Sequence, residues 1–223
     1  MQFACQHQAF LQAIATVERA VSTREVKRIL SGILLEAKQD QLRLVATDLG
    51  LGIQCFIPAE VSSEGVAVLE GRVLSQIARK LEGEQVLYST GEASTAVLEG
   101  GLARFNLHTL PVEEFPAFPD VSEVSFWRMR QSELKRMIRE TTFAAATDEA
   151  RAALTGALLE IEEGEVRIIS TDVSRLAFRS CKLVSPVEEA KSAIVPVRAM
   201  QEVARLLVTD DKSEVEFTFA DNQ

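Results

Sequence analysis

The chain has 223 residues, 47% of them hydrophobic and 26% charged, with a formal net charge of −9. That apolar fraction supports a packed core and excludes global disorder, and 11 glycines with 6 prolines are too few for a low-complexity or collagen-like chain. The acidic balance argues against a simple basic nucleic-acid-binding domain, although net charge says nothing of how charge is distributed.

The opening residues MQFACQHQAFLQAIATVERA show no basic lead before an apolar run, so no signal peptide is expected. No stretch approaches eighteen uncharged apolar residues, so no membrane span is expected. Cys5, Cys55 and Cys181 form an odd set without C-x-x-C spacing, which points away from a disulfide framework and toward a reducing cytosol. His7 and His108 are the only histidines, too few to build a zinc site with those cysteines. The expectation is a soluble cytoplasmic protein without metal or cofactor.

Along the chain, Phe3 and Cys5 alternate as in a short strand, and Phe10, Leu11, Ile14 and Val17 recur at helical spacing. Residues 32–48, GILLEAKQDQLRLVATD, then read as strand, two-residue polar turn and strand. Residues 66–81, VAVLEGRVLSQIARKL, read as a strand entering a helix over 72–81.

The same order returns 124 residues later. Residues 156–172, GALLEIEEGEVRIISTD, match 32–48 at seven of 17 positions, including the closing Thr-Asp. Trp127 and Met129 answer Phe3 and Cys5, and Leu134, Met137, Ile138 and Thr141 answer the first helix. Residues 192–207, SAIVPVRAMQEVARLL, match 66–81 at a spacing of 126, setting Arg72 on Arg198, Arg79 on Arg205 and Leu81 on Leu207. The chain is therefore an internal repeat of strand–helix–three-strand motifs, an α+β fold with helices packed together on one face of antiparallel sheets. Segment 109–124 holds three of the six prolines and no period, and separates the copies. Unit 1 is bounded at 1–116, a linker at 117–124 and unit 2 at 125–223.

The repeat can be followed to the end of the sequence. VEFTF at 215–219 matches 86–90 after a loop three residues longer, which sets Gln223 opposite Ser94. Counterparts of STAVLEG and ARFNLHTL, the last two strands of unit 1, are then expected beyond Gln223. The chain is accordingly expected to be an N-terminal portion of a longer protein.

Charge is segregated. Residues 128–139, RMRQSELKRMIR, carry five basic residues and one acid, a net of +4 in a chain of −9. Residues 72–81 add Arg72, Arg79 and Lys80 with no acid. Acids gather at Glu162–Glu165, Glu188–Glu189 and Asp210–Asp211. A positive helical layer on an acidic protein suits local contact with phosphates, whereas solvated helix faces are the plainer reading of the same charges. No aromatics interleave with the basic residues and no zinc finger or basic zipper is present, so contact would be with backbone phosphates and not with bases.

Thr47-Asp48 and Thr171-Asp172 end strands. Either aspartate could hold a metal or act as a base, giving a metal-dependent enzyme; the structural alternative is an Asx turn, favoured because the pair occurs in both copies. No P-loop, dinucleotide, nucleophile-elbow or zincin motif is present, so no catalytic residue is assigned. A third possibility is a repeat scaffold that binds only proteins. Arg175 and Leu176, near Leu154, could rim an apolar pocket, or Leu176 could simply be core.

The motifs STREVKRILSGILLEA (22–37), LVATDLGLGI (44–53), FNLHTLPVEEFPAFPD (105–120), TDEARAALTGALLE (147–160) and IISTDVSRLAF (168–178) resemble those of bacterial DNA polymerase III β subunits, the replicative sliding clamps. The resemblance runs the length of the chain. It implies a DNA-clamp fold, three domains per protomer, and two protomers closing head-to-tail into a homodimer ring around double-stranded DNA. It implies a processivity factor that tethers replicative polymerase subunits, the clamp loader and other clamp-binding peptides. By the same resemblance Arg72, Arg79, Lys135, Arg136, Arg198 and Arg205 face DNA, with Arg24 and Arg151 on loops near it. Leu154, Thr171, Val173, Ser174, Arg175 and Leu176 would form the second-domain half of the peptide pocket, and no metal is implied.

Overall fold

The periodicities resolve into nineteen regular elements in a computed structural model, which describes residues 1–22, 27–91, 94–119, 126–184, 190–210 and 212–219. In chain order they are β1 (Gln2–Gln6), α1 (His7–Val17), β2 (Gly32–Lys38), β3 (Gln41–Thr47), β4 (Gly52–Pro58), β5 (Glu60–Ser63), β6 (Gly65–Glu70), α2 (Gly71–Ala78), β7 (Gln85–Thr90), β8 (Thr95–Gly100) and β9 (Ala103–Leu110). There follow β10 (Trp127–Arg130), α3 (Gln131–Thr141), β11 (Gly156–Glu162), β12 (Glu165–Thr171), β13 (Leu176–Lys182), β14 (Lys191–Pro196), α4 (Val197–Leu206) and β15 (Glu214–Phe217). The chain divides into two compact units, Met1–Pro119 and Asp120–Gln223.

Unit 1 hydrogen-bonds its strands in the order β4-β3-β2-β6-β9-β8-β7-β1-β5, all antiparallel. Unit 2 contains β13-β12-β11-β14 and the pair β10-β15. The register repeats residue for residue. Leu34 opposes Val45 and Leu158 opposes Ile169, both members advanced by 124. Leu42 opposes Ile57 as Val166 opposes Cys181, and Gly32 opposes Glu70 as Gly156 opposes Pro196. Phe3 opposes Tyr88 as Trp127 opposes Phe217, and both pairs are aromatic, with ring centroids 5.0 and 6.2 Å apart.

The hairpin turns repeat as well. Gln39 and Asp40 between β2 and β3 both hold positive φ, as do Glu163 and Gly164 between β11 and β12, the conformation that matches a two-residue turn to strand twist.

The helices fill the space over the sheets. α1 buries Phe10, Ala13, Ile14 and Val17, and α3 buries Leu134, Met137, Ile138 and Thr141, the same four positions. Ala13 thus takes the inward place that the sequence pattern gave to Leu11, which is only half-buried. Thr141 replaces Val17 without an orphaned hydroxyl, because its Oγ1 donates to Met137 O at 2.7 Å. Each fully buried Leu or Phe of these cores contributes about 1.5–3 kcal/mol by leaving water. Cys5 lies in the first core, where burial pushes its thiol up to about 12; Cys55 and Cys181 are half-buried and free.

Four expectations need correction. Thr109 and Leu110 are not linker: they finish β9 and pair with Leu69 and Val68 of β6. The helix expected over 72–81 starts at Gly71, capped by the Glu70 carboxylate accepting from Val73 N at 3.2 Å, and ends at Ala78. A further strand, β5, runs along β1, built from Glu60–Ser63, whose burial pattern carries no apolar alternation to announce it. The positive layer excludes α1, which has no Asp, Glu, Lys or Arg, and two of the five basic residues of 128–139 lie on β10.

Candidate functional site

The paired Thr-Asp motifs close the same turn twice. Asp48 Oδ1 accepts from Gly50 N at 3.0 Å and Leu51 N at 2.8 Å, while Thr47 Oγ1 accepts from Leu49 N and donates to Leu51 O, both at 3.0 Å. In unit 2, Asp172 Oδ1 accepts from Ser174 N and Arg175 N, both at 3.0 Å. Thr171 Oγ1 accepts from Val173 N at 3.0 Å and donates to Arg175 O at 2.7 Å. The second copy adds a Ser174 hydroxyl bond to Asp172 Oδ1 at 2.7 Å and an Arg175 Nε bond to Oδ2 at 2.9 Å. Ser174 above all, then the two backbone N–H groups and the Arg175 charge, hold the Asp172 carboxyl down to about 2. Both carboxylates are turn acceptors, the Asx role rather than the metal or base role.

This turn presents the residues assigned to the peptide pocket. Thr171 ends β12 opposite Leu176 at the start of β13, and Val173–Arg175 form the connection. Leu176 is not core, as one sequence reading allowed. It is 66% exposed, because Ala177 takes the inward position and leaves Leu176 and Phe178 on the outward face. Val173 is exposed too. Leu154 arrives from the segment preceding β11, half-buried, and its carbonyl accepts from Ala146 N at 2.9 Å. Phe143, just after α3, is an exposed aromatic that the sequence reading missed; Arg175 Cζ stands 5.9 Å from its ring centroid. No local pattern signals it, since its partner is 32 residues away. Val173, Leu176 and Phe178 thus leave apolar side chains exposed along this turn and strand, with Arg175 near the Phe143 ring, residue types suited to docking apolar peptide side chains.

Arg72 lies on α2 and Arg79 at its C-cap, Lys135 and Arg136 on α3, and Arg198 and Arg205 on α4. Arg72 and Arg79 are seven residues apart, two helical turns, so they share a side about 10 Å apart along the axis. Arg198 and Arg205 repeat the spacing on α4, and all four are exposed. Several are ion-paired: Arg79 with Glu18 at 3.1 Å, Arg136 with Glu140 at 2.8 Å, and Arg205 with Glu202. Glu18 also accepts from the buried Ser75 hydroxyl at 2.7 Å, and Glu140 also reaches Arg179 at 3.4 Å. The Arg136 hydrogen bond keeps Glu140 below the usual carboxylate range. Lys135 Nζ donates to Leu207 O at 2.8 Å, placing its ammonium on the carbonyl end of α4. Exposed pairs of this kind are weak and screened by salt, so these cations exchange partners readily. Arg151 is exposed in the segment Glu149–Thr155, and Arg24 lies outside the described residues. No helix of the described residues is long and apolar enough to cross a membrane.

Known proteins share this architecture. The family model for the DNA polymerase III beta subunit, N-terminal domain, matches residues 1–119, and that for its central domain matches residues 128–223. A beta sliding clamp of Staphylococcus aureus strain Mu50 is 32% identical over all of this chain. The chain spans 61% of the length of that relative. The crystal structure of a DNA polymerase sliding clamp from Bacillus subtilis, 29% identical, superposes over 99% of this chain and 60% of its own, with a TM-score of 0.95. A Pseudomonas aeruginosa sliding clamp solved bound to griselimycin, 32% identical, covers 97% of this chain and 58% of its own at a TM-score of 0.88.

Proposed function

The chain belongs to the DNA polymerase III beta-subunit family, and we propose that it supplies the first two domains of a ring-forming clamp that encircles double-stranded DNA and raises polymerase processivity. The observation that carries this reading is the match of both halves, in order, to the N-terminal and central domains of that family. In this reading the protein is cytoplasmic and performs no catalysis.

The geometry supports a division of labour. Arg72, Arg79, Lys135, Arg136, Arg198 and Arg205 face the phosphate backbone, with Arg24 and Arg151 on loops beside it. Contacts of this class carry no base information and weaken steeply with salt. Topological linkage supplies retention, so individually loose contacts leave the ring free to slide. Acidic surface away from the helices repels stray phosphate. Closure requires two protomers, each with a third domain, meeting head-to-tail at a rotation that closes.

Leu154, Thr171, Val173, Ser174, Arg175 and Leu176 form half of a groove for polymerase subunits, clamp loader and other clamp-binding peptides. The bound griselimycin of the Pseudomonas aeruginosa relative supports a ligand-accepting surface on this fold. The Asp172–Arg175 bonds preorganise the groove rim, so a peptide need not order it on arrival. Primer extension by the cognate replicative polymerase tests the reading. Long products are expected with the intact protein and short ones with Leu176→Asp. Equal product lengths with both proteins would overturn it.

A further inference from the structure

β13 carries an arginine on the side of its sheet that faces the core. Ala177 is buried on that side, and Arg179 and Cys181 follow it at strand spacing. Arg179 opposes Ile168 as Cys55 opposes Leu44, so a half-buried cysteine holds the matched place in unit 1. A guanidinium rooted there escapes the core because β13 is the last strand of its sheet. A long inward side chain at that edge reaches past α3 to solvent, and Arg179 keeps 35% of its side-chain surface. β4, the counterpart of β13, is likewise a last strand in unit 1, where β9 joins the sheet on the far side, at β6.

Beside α3 the Arg179 Nε stands 3.4 Å from Glu140 Oε2. The other carboxylate oxygen, Oε1, accepts from Arg136 Nε at 2.8 Å. Arg136 and Glu140 lie one turn apart on α3 and are both exposed. One carboxylate thus stands between two guanidiniums from different elements, with an oxygen toward each. The Arg179 Nε is buried and makes no hydrogen bond, so only charge attraction joins it to Glu140. The matched residues of unit 1 are Gln12, Thr16 and Cys55, all uncharged, so the packing of the repeat does not require this cluster.

We propose that Arg136 and Arg179 hold one DNA phosphate between them, at the place that the Glu140 carboxylate takes in its absence. The proposal rests on the reading of α3 as DNA-facing and extends that layer to a residue of the sheet. A phosphodiester presents two charged oxygens to paired guanidiniums, as the carboxylate does. Two guanidiniums and one carboxylate leave a single positive charge, the complement of one phosphodiester. Exposed ion pairs are weak, so the carboxylate gives way to phosphate. Glu140 also makes the two arginines interdependent, because either one left alone with it is neutralised.

The salt dependence of binding tests this, read by titrating the protein that carries this chain onto a labelled duplex. Arg136→Ala, Arg179→Ala and the double variant should each lower the slope of log affinity against log salt by about 0.9, the loss of one phosphate. Affinity at low salt should fall by the same factor in all three, whereas independent contacts would multiply. A double variant that loses about 1.8 holds two phosphates and overturns the proposal. A parent slope in one single variant beside a lowered slope in the other overturns it as well, and leaves the DNA-facing layer standing. Parent slopes in Arg136→Ala and in Arg198→Ala with Arg205→Ala overturn the reading of that layer, and the proposal with it. Should Arg179→Ala fail to fold, Arg179→Cys decides, since unit 1 carries Cys55 at the matched place.

Discussion

Leu49 and Val173, 124 residues apart, both hold left-handed backbone at φ 74° and 81° in turns closed by the same Thr-Asp hydrogen bonds. Neither side chain favours that conformation, and a β-branched valine least of all. The turn persists because aspartate and threonine between them bind three backbone N–H groups and one carbonyl in each copy. Val173→Gly removes the strain and keeps every one of those bonds. It is expected to stabilise unit 2 by about 1 kcal/mol in denaturant unfolding. A loss of stability would show that the valine is not strained there.

Acid should reach this turn late. Asp172 is held down to about 2 in the fold, below the ordinary carboxylate value near 3.9, so its ionised form is the one that folding favours. Its contribution is present at neutral pH and is lost as pH falls from about 4 through about 2. Carboxyl chemical shifts followed by NMR should place the Asp172 midpoint near the bottom of that window. A midpoint near 4 would mean that Ser174 and Arg175 do not hold it.

Two matched glycines should respond unequally to the same substitution. A Cβ at Gly32 would stand 2.5 Å from Val68 Cγ1 and 3.0 Å from Ile29 O, inside the buried cluster of Ile29, Leu30 and Val68. A Cβ at Gly156 would stand 2.4 Å from Ile194 Cγ2 and 3.1 Å from Val195 O, a matching backbone contact, but the Ile194 side chain is exposed in this chain and can turn away. Gly32→Ala is expected to cost about 1–3 kcal/mol and Gly156→Ala less, since only its side-chain neighbour can give way. Thermal unfolding of the two variants checks the order, and a reversed order would contradict the packing around Val68 and Ile194 in this chain.

Arginines that meet phosphate leave a mark in the salt dependence of binding. Replacing Arg198 and Arg205 with alanine should lower the slope of log affinity against log salt by about 0.9 for each phosphate no longer neutralised, whatever the DNA sequence. Glu140→Gln should act oppositely, freeing Arg136 and raising affinity about twofold at low salt. Slopes from fluorescence anisotropy that match the parent would place both arginines away from DNA.

Much of this architecture was legible because the repeat is written in strand register. Hydrophobic alternation, turn length and the shared Thr-Asp determine which residue opposes which, and the register recurs at every pair of matched strands. The positions that were not legible depend on contacts distant in sequence. Glu18 binding Arg79 and Ser75, and Phe143 meeting Arg175, come from helix and turn packing that no local period encodes. Leu176 could be pocket rim or core on hydropathy alone, and the inward placing of Ala177 puts it outside. The segment after β9 reads as a proline-rich linker, since Val112, Phe115 and Phe118 fit neither a helical nor a strand period, yet Val112 and Phe115 pack on Ile29, Leu30 and Val68 and Phe118 lies against Gly52.

Retention on DNA of defined topology tests the central reading most directly. The protein that carries this chain, loaded onto a nicked circular plasmid and passed through a sizing column in high salt, should remain with the circle. Cutting the plasmid once should release it. Equal retention on circular and linear DNA would mean that it holds the duplex by affinity alone and does not encircle it.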